Sequence, residues 1–182
     1  HSRLIGKHRI LRSSGTDYTM NDLGRYQCWD SPSTPSCTVK FETVNLQLMV
    51  ALSNNNFAAR AEFLHEIAQR SIGPIEGNRC LMIGSGTGHN TRTFGREFDQ
   101  VDALDIVPRD FPSIVDNALV ADGTALPYDS DTFDLCVAIS VVEHILPPSN
   151  RENLIKEMIR CTAPGGHVFF QIPNKWFPIE LH

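Results

Sequence analysis

Short apolar runs alternate with glycine-rich or amphipathic segments through the central and C-terminal parts of the chain. The runs are four to six residues long and contain many β-branched residues, the pattern of buried strands. We predict five strands, at residues 80–83, 101–106, 118–121, 135–140 and 167–172. Because longer polar or amphipathic segments separate the runs, hairpins between successive strands are not expected.

Helical patterns precede and separate these strands. Residues 44–52 are apolar with good helix formers. Asn55 or Asn56 would cap a helix that carries the apolar stripe Phe57, Ala61, Leu64 and Ala68. We predict two more helices, one from about His89 to Glu97, and one that a capping box at Ser149–Glu152 opens and Pro164-Gly165-Gly166 ends.

Strands separated by helices or long crossovers predict a parallel sheet that is covered on both faces. Right-handed crossovers then give a doubly wound, Rossmann-like α/β fold. Residues 1–43, rich in Gly, Ser, Thr and Pro, are predicted as an irregular N-terminal segment. Residues 44–182 form one predicted domain, with N-terminal helices over 44–77 and an α/β core over 78–182.

Charge and cysteine content narrow the classes of function. Asp and Glu outnumber Lys and Arg by 21 to 16, which argues against broad binding to nucleic acid or anionic membrane. No apolar run approaches the roughly 20 residues of a membrane helix. Five cysteines, an odd number, argue against a complete disulfide framework and favour a cytoplasmic location. Whether Cys28 and Cys37 pair is left open, and no metal site is predicted.

The strongest local motif is Gly84-Ser85-Gly86-Thr87-Gly88, which lies between a predicted strand and a predicted helix. Glycines permit a tight turn and let the backbone approach a ligand, and the following helix presents free N–H groups. A dinucleotide motif that began at Gly84 would place its third small residue at position 89, which is His89. The spacing therefore favours S-adenosylmethionine over NAD.

Two acidic residues follow the next two predicted strands. Asp105 lies near the end of the second strand, where a carboxylate can accept hydrogen bonds from ribose hydroxyls. Asp122, in an Asp-Gly pair with Gly123, follows the third strand and can accept from the exocyclic amine of adenine. Both carboxylates are predicted at the sheet edge where such folds bind ligands.

In their order and spacing, these motifs resemble those of class I S-adenosylmethionine-dependent methyltransferases, in particular a small-molecule branch. The resemblance covers roughly residues 78–182. Besides the glycine loop and Asp105, it rests on residues 122–127, 131–135, 140–145, 157–160 and 163–166, and residues 172–175 and 178–182 resemble the small-molecule branch. It implies S-adenosylmethionine as the cofactor, with the glycine loop at the methionine and ribose portion and Ser140 near the sulfonium. The cofactor-binding residues it implies are Gly84, Ser85, Gly86, Gly88, Asp105, Ile106, Asp122, Gly123 and Ser140.

The chain departs from the family in two places. Many members have an acidic residue two positions before the first motif glycine, where this chain has Met82. The family sheet normally ends in an antiparallel hairpin, and the sequence stops shortly after the fifth predicted strand. Either the chain is truncated or another chain, in a homo-oligomer or a partner, completes the sheet.

Glu143 and His144 follow the fourth predicted strand closely and are the candidate bases for methyl transfer. The sequence thus predicts an enzyme that methylates a small-molecule acceptor. The alternative is a non-catalytic module that binds S-adenosylmethionine and needs a partner chain. A nicotinamide-dependent oxidoreductase is disfavoured by His89, and nucleic-acid methylation by the acidic charge.

Overall fold

The structure, a computed structural model, describes residues 56–172 and, before them, the backbone of four short strands. These are β1 (Arg9–Leu11), β2 (Asp17–Met20), β3 (Tyr26–Cys28) and β4 (Thr38–Val39). β1, β2 and β3 pair antiparallel in that order. The helix predicted at 44–52, the domain boundary near 43 and the side chains of Cys28 and Cys37 lie outside the described residues.

Five longer strands and three helices follow along the chain. The strands are β5 (Gly77–Ile83), β6 (Phe98–Asp105), β7 (Asn117–Val120), β8 (Phe133–Ile139) and β9 (Thr162–Gln171). The helices are α1 (Phe57–Ile72), α2 (His89–Gly95) and α3 (Arg151–Cys161). Two single-turn 3₁₀ helices, Val142–His144 and Pro148–Asn150, lie between β8 and α3. Each of the five predicted strands is present, longer at its amino end than predicted in most cases.

The main sheet has the strand order β4-β9-β8-β5-β6-β7, and every neighbouring pair is parallel. The chain runs outward from β5 to β7 and then returns through β8 and β9 on the other side. The carboxyl ends of β5 and β8 therefore lie side by side at the point where the strand order reverses, which is where such sheets bind ligands. The fold prediction is confirmed, and the place beside β9 is taken by β4.

Two apolar layers cover the sheet, and β5 contributes alternate residues to each. Leu81 and Ile83 belong to the layer beneath α3, while Cys80 and Met82 belong to the layer beneath α1 and α2. α1 contributes Leu64 and Ala68 to the second layer, and α3 contributes four side chains to the first. The α3 residues are Leu154, Met158, Ile159 and Cys161. Burial on both faces explains why the carboxyl-terminal parts of β5 and β8 are wholly apolar.

The start of α1 follows the prediction closely. Asn56 caps the helix, because its Oδ1 accepts a hydrogen bond from the backbone N–H of Ala59 at 3.0 Å. Of the predicted apolar stripe, Ala61, Leu64 and Ala68 are fully buried. Phe57 is 54% exposed instead, which places it at the rim of the sheet and not in its core.

The prediction that Pro164-Gly165-Gly166 separates α3 from a strand beginning at His167 was wrong. α3 ends at Cys161, and β9 begins immediately at Thr162. Phe133 pairs with Thr162, and Leu135 pairs with His167, so five residues of β9 span the length of two in β8. The glycine turn, with Gly165 at φ +83°, is a bulge within β9 and not a break between elements.

The predicted capping box at the start of α3 is also absent. Asn150 has φ −81° and ψ −11°, close to helical values, and no side chain caps the helix. The preceding 3₁₀ turn runs directly into α3, so no residue there has the extended backbone that an N-cap needs.

Between β6 and β7, residues 106–116 form no helix or strand. Pro108 and Pro112 explain this, since proline interrupts helical hydrogen bonding. The shortened crossover leaves β7 largely exposed.

Within residues 56–172 and the four short strands, no helix combines the length and apolar character that crossing a bilayer requires.

Candidate cofactor and acceptor site

The predicted site residues lie at the carboxyl edge of the main sheet. The glycine loop follows β5, Asp105 ends β6, Asp122 follows β7 and Ser140 follows β8. The structure therefore brings residues from four separate stretches of sequence to one edge, as parallel strand order requires.

Steric crowding fixes the glycine loop. Gly84, Gly86 and Gly88 have φ values of +68°, +52° and +79°, which side chains disfavour. A Cβ on Gly84 would overlap the side chain of Val141, and one on Gly88 would lie 2.9 Å from Cδ of Pro112. Two of the three motif glycines are thus needed for close packing as well as for backbone conformation.

Hydrogen bonds tie the loop to its surroundings. The N–H groups of Gly84 and Ser85 both donate to the carbonyl of Leu104, at 2.8 and 3.1 Å. The Ser85 hydroxyl, which is buried, shares a 2.8 Å hydrogen bond with the hydroxyl of Thr91 in α2. The side chain of Ser85 therefore contacts the protein, so that only its backbone can face a ligand.

Asp105 holds the glycine loop and can also contact a ligand. Its carboxylate is buried and accepts from the N–H of Gly86 at 3.0 Å and from the N–H of Val107 at 3.2 Å. Arg109 lies 3.4 Å away as an ion pair. A carboxylate has about four acceptor positions, so Asp105 holds the loop and retains capacity for a ligand hydroxyl.

Apolar side chains border the same end of the sheet. Ile106 is 69% exposed and Val120 is 58% exposed, immediately after Asp105 and at the end of β7. Exposed apolar side chains near the carboxyl ends of two neighbouring strands suit contact with an apolar ligand surface.

Asp122 and Gly123 form a tight turn beyond β7. Asp122 is exposed, and its Oδ1 accepts from both the N–H and the hydroxyl of Thr124 at 2.8 Å. A Cβ on Gly123 would lie 3.0 Å from Ile83 and 3.1 Å from Leu154. Gly123 is therefore required by packing against the core, whereas Asp122 presents a carboxylate to solvent at the sheet edge.

A second polar group lies at the ends of β8 and β9. Ser140 has φ +53°, and its N–H donates to the carbonyl of Gln171 at 3.0 Å. The Arg60 guanidinium donates to the Ser140 hydroxyl at 2.9 Å and to Oε1 of Gln171 at 3.4 Å. The Ser140 hydroxyl in turn donates to the same Oε1 at 3.0 Å. We call Arg60, Ser140 and Gln171 the polar chain.

Sequence reasoning missed Arg60 and Gln171. A signal for Arg60 was present: it lies four residues before Leu64, on the stripe of α1 that faces the sheet. A charged residue on such a stripe needs a partner at the end of the sheet. Gln171 carries no comparable signal in sequence.

The two candidate bases lie in the 3₁₀ turn Val142–His144. Arg151 holds this turn, since its guanidinium donates to the carbonyl of Glu143 at 2.9 Å. Glu143 is half-buried, and its Oε2 has no hydrogen-bond partner within the described residues. His144 is exposed.

Arg60 and Glu143 are electrostatic neighbours. Burial lowers the pKa of Arg60, and the nearby negative charge of Glu143 raises it in opposition. The positive charge of Arg60, in the polar chain, and the negative charge of Glu143 therefore interact near the ends of β8 and β9.

Met82, where the family often has an acidic residue, lies in the core. It is 2% exposed, in the layer with Leu64 and Phe94. Its side chain therefore packs in that layer and supplies no carboxylate to a ligand at the sheet edge.

Comparisons with known proteins agree with this architecture. A family model described as a methyltransferase domain matches residues 81–170. An uncharacterised methyltransferase of Mycobacterium leprae is 33% identical over 102 residues, which cover 52% of this chain and 37% of that protein. The matched part thus spans little more than a third of that relative.

Two solved structures share the fold. N-methyltransferase NodS from Bradyrhizobium japonicum, in complex with S-adenosylhomocysteine, has a TM-score of 0.54 at 22% identity, covering 66% of this chain and 64% of NodS. S-adenosylmethionine-bound CalS10 from Micromonospora echinaspora, an amino pentose methyltransferase, has a TM-score of 0.55 at 21% identity, covering 76% of this chain and 60% of CalS10. By its methyltransferase domain and its fold, the chain belongs to the class I methyltransferases, whose cofactor is S-adenosylmethionine.

Proposed function

We propose that this chain transfers the methyl group of S-adenosylmethionine to a small-molecule acceptor. The observation that carries the proposal is the junction of the glycine loop with Asp105. A buried carboxylate at the end of β6, next to exposed apolar residues, holds at 3.0 Å the backbone of the loop that follows β5 at the strand-order reversal.

The residues present fit the cofactor. Asp105 would accept from the ribose hydroxyls, and Ile106 and Val120 would flank the adenine near Asp122. The backbone of the glycine loop and Ser140 would border the methionine portion. The cofactor supplies an activated methyl group together with its own leaving group. The chain's contribution is then to bind, orient and exclude water.

We propose Glu143 as the group that takes a proton from the acceptor or orients it. Its Oε2 is buried and has no hydrogen-bond partner within the described residues, and its charge interacts with that of Arg60. The exposure of His144 favours it less, and its role as a base stays a prediction.

Two observations support a small-molecule acceptor. The formal charge of −5 does not favour a polyanionic substrate. One fold relative, CalS10, is named for its action on an amino pentose. The cytoplasmic location and a homo-oligomer or partner chain stay predictions.

A second candidate is a module that binds the cofactor without transferring its methyl group. The buried Met82 favours it, because the carboxylate that many family members supply at this position is absent. Cofactor binding without any turnover across acceptors would distinguish this candidate from the enzyme.

Calorimetric titration with S-adenosylhomocysteine, S-adenosylmethionine and NAD tests the cofactor assignment. We expect saturable binding of the first two and none of NAD. Asp105→Ala should weaken binding by at least about tenfold, because it removes a charged acceptor. Asp99→Ala is the matched control, since Asp99 is exposed at the opposite end of the same strand. Failure of the intact chain to bind S-adenosylhomocysteine would contradict the proposed function.

A further inference from the structure

An arginine side chain lies against the carboxylate that ends β6. Nε of Arg109 is 3.4 Å from Oδ2 of Asp105, and the Arg109 side chain is 47% exposed whereas that of Asp105 is 9% exposed. Arg109 belongs to the segment between β6 and β7 that forms no helix or strand. The carboxylate is therefore partly covered by a side chain that can move into water.

The acceptor positions of the Asp105 carboxylate can be assigned one by one. Each carboxylate oxygen has about two such positions. On Oδ1, the N–H of Val107 takes one position. On Oδ2, the N–H of Gly86 takes one and Arg109 approaches the other. While Arg109 stays in place, a ligand therefore finds one open position, on Oδ1.

A ribose has two adjacent hydroxyls, and a carboxylate that accepts from both must offer a position on each of its oxygens. The N–H groups of Gly86 and Val107 are backbone donors that hold the glycine loop and the end of β6, so the fold keeps them in place. The second position on Oδ2 becomes free only when the side chain of Arg109 moves away.

Little else holds Arg109 where it is. Within residues 56–172, its one ion pair is with Asp105, and it makes no hydrogen bond. Its neighbours Pro108 and Asp110 are exposed. An ion pair with a half-exposed partner is weak, equivalent to at most about a fivefold change in a binding constant. A ribose that binds the same carboxylate can therefore displace it.

We propose that Arg109 competes with the ribose of the cofactor for the Asp105 carboxylate and moves into solvent when the cofactor binds. This inference rests on the proposed function, because it takes Asp105 as the ribose acceptor. S-adenosylmethionine and S-adenosylhomocysteine carry the same ribose, so the ion pair lowers the affinity for both. Arg109 thereby limits how tightly the chain holds its product, whose release sets the turnover rate of many enzymes.

Calorimetric titration of the full chain with S-adenosylhomocysteine measures the competition. Arg109→Met keeps the length of the side chain but removes its charge and its donors, so the ligand should bind about three- to fivefold more tightly. Arg109→Lys keeps the charge but not the guanidinium and should give a smaller gain. Arg92→Met, at an exposed arginine of α2, is the matched control and should leave the affinity unchanged.

Nucleosides that differ by one hydroxyl locate the effect at the ribose. Adenosine has both ribose hydroxyls, whereas 2′-deoxyadenosine and 3′-deoxyadenosine have one each. In the parent chain the three should bind about equally, because one acceptor position is open. In Arg109→Met, adenosine should gain about threefold over both deoxynucleosides. All three are uncharged and lack the methionine portion, so contacts at the ends of β8 and β9 do not enter the comparison.

Four results would overturn the inference. Unchanged or weaker binding of S-adenosylhomocysteine in Arg109→Met would show that Arg109 does not compete with the ligand. An equal gain in Arg92→Met would assign the effect to the charge of the whole chain. Equal gains for adenosine and the deoxynucleosides would place the effect away from the hydroxyls. Absence of adenosine binding up to about 20 mM would show that the ribose end contributes too little affinity for any competition.

Failure of the proposed function looks different, because the parent chain and all Arg109 variants would then bind no S-adenosylhomocysteine. A folding defect also looks different, since it lowers the affinity whereas the inference predicts a gain. If Arg109→Met does not fold, the gain expected in Arg109→Lys decides the question, and its absence there would equally overturn the inference.

Discussion

The two halves of the sheet edge are built in different ways. On the β5–β7 side, the glycine loop and Asp105 each follow directly from a strand, and the hydrogen bond between them spans 19 residues of sequence. On the β8–β9 side, Arg60 reaches Ser140 across 80 residues and Gln171 across 111. The β5–β7 side is therefore a local motif, whereas the β8–β9 side is assembled from elements that lie far apart in the sequence.

The largest expected effect is at Gly84, and it tests the rigidity of the glycine loop that follows β5. Gly84→Ala should cost about 3 kcal/mol or more of unfolding free energy and abolish S-adenosylhomocysteine binding, because strain at φ +68° adds to overlap with Val141. Urea unfolding and calorimetry measure both quantities.

Gly165 is the matched control for Gly84. It has φ +83°, but a Cβ there would meet nothing within 4 Å. Gly165→Ala should cost about 1 kcal/mol from backbone strain alone and leave cofactor affinity unchanged. Equal losses in the two alanine variants would show that crowding by Val141 is unimportant.

An ion pair between a buried carboxylate and a partly exposed guanidinium comes next. Asp102 is 1% exposed and binds Arg79 at 2.9 Å and Asn117 at 3.1 Å, which joins β5, β6 and β7. Asp102→Ala should lower the unfolding free energy by about 3 kcal/mol, because Arg79 loses its charged partner. The double variant Asp102→Leu with Arg79→Met should recover much of this loss in urea unfolding. If the double variant is no more stable than Asp102→Ala, apolar packing cannot replace the ion pair at this position.

A smaller effect is expected where α3 supports the loop after β7. Glu157 accepts from the N–H of Leu126 at 2.8 Å and pairs with Arg160, whose guanidinium also donates to the carbonyl of Tyr128 at 2.8 Å. Glu157→Gln should cost about 1–2 kcal/mol of unfolding free energy. The substitution should weaken cofactor affinity only slightly, because Asp122 precedes the segment from Leu126 to Tyr128 that Glu157 and Arg160 hold.

The Glu157 carboxyl also gives a pH dependence with a defined sign. Its hydrogen bonds with Arg160 hold its pKa below the usual range, against the opposing effect of burial. A carboxyl with a lowered pKa in the folded state contributes stability above its unfolded pKa of about 4.3 and loses it as pH falls through the folded value. In Glu157→Gln, the free energy of unfolding should therefore fall less steeply as the pH is lowered. An unchanged pH dependence would contradict the assignment.

The smallest effect is expected on α1, which carries Arg60. His65 is 2% exposed, lies edge-on to Phe94 at 5.2 Å, and has its pKa lowered mainly by burial. Because the unfolded state binds this proton more readily, stability should fall as pH drops below about 6.5. Thermal unfolding measured at roughly pH 7.5 and pH 5.5, on either side of the ordinary His pKa, should show this loss of stability in the parent chain and not in His65→Leu.

The sequence sufficed to predict the fold and the placement of the glycine loop, Asp105 and Asp122 at one edge of the sheet, for a physical reason. Apolar runs such as residues 80–83 must be strands buried on both faces, and the glycine loop needs conformations that its residue types alone reveal. The positions of Gly84, Asp105 and Asp122 follow from strand order without side-chain detail.

The remainder depended on packing between distant segments. Gln171 became part of the site only because β9 places it beside Ser140. The bulge at Gly165 arises from the register between β8 and β9, which the local sequence of β9 does not specify. Phe57, which the predicted stripe would bury, is instead 54% exposed and stacks on His89 of α2.

Amide-detected NMR of the isotope-labelled chain, titrated with S-adenosylhomocysteine, tests the proposed cofactor site most directly. The account predicts that the signals of the glycine loop, Ile106 and Val120 shift during the titration. Signals of the glycine loop, Ile106 and Val120 that stay unmoved at saturating S-adenosylhomocysteine would contradict it.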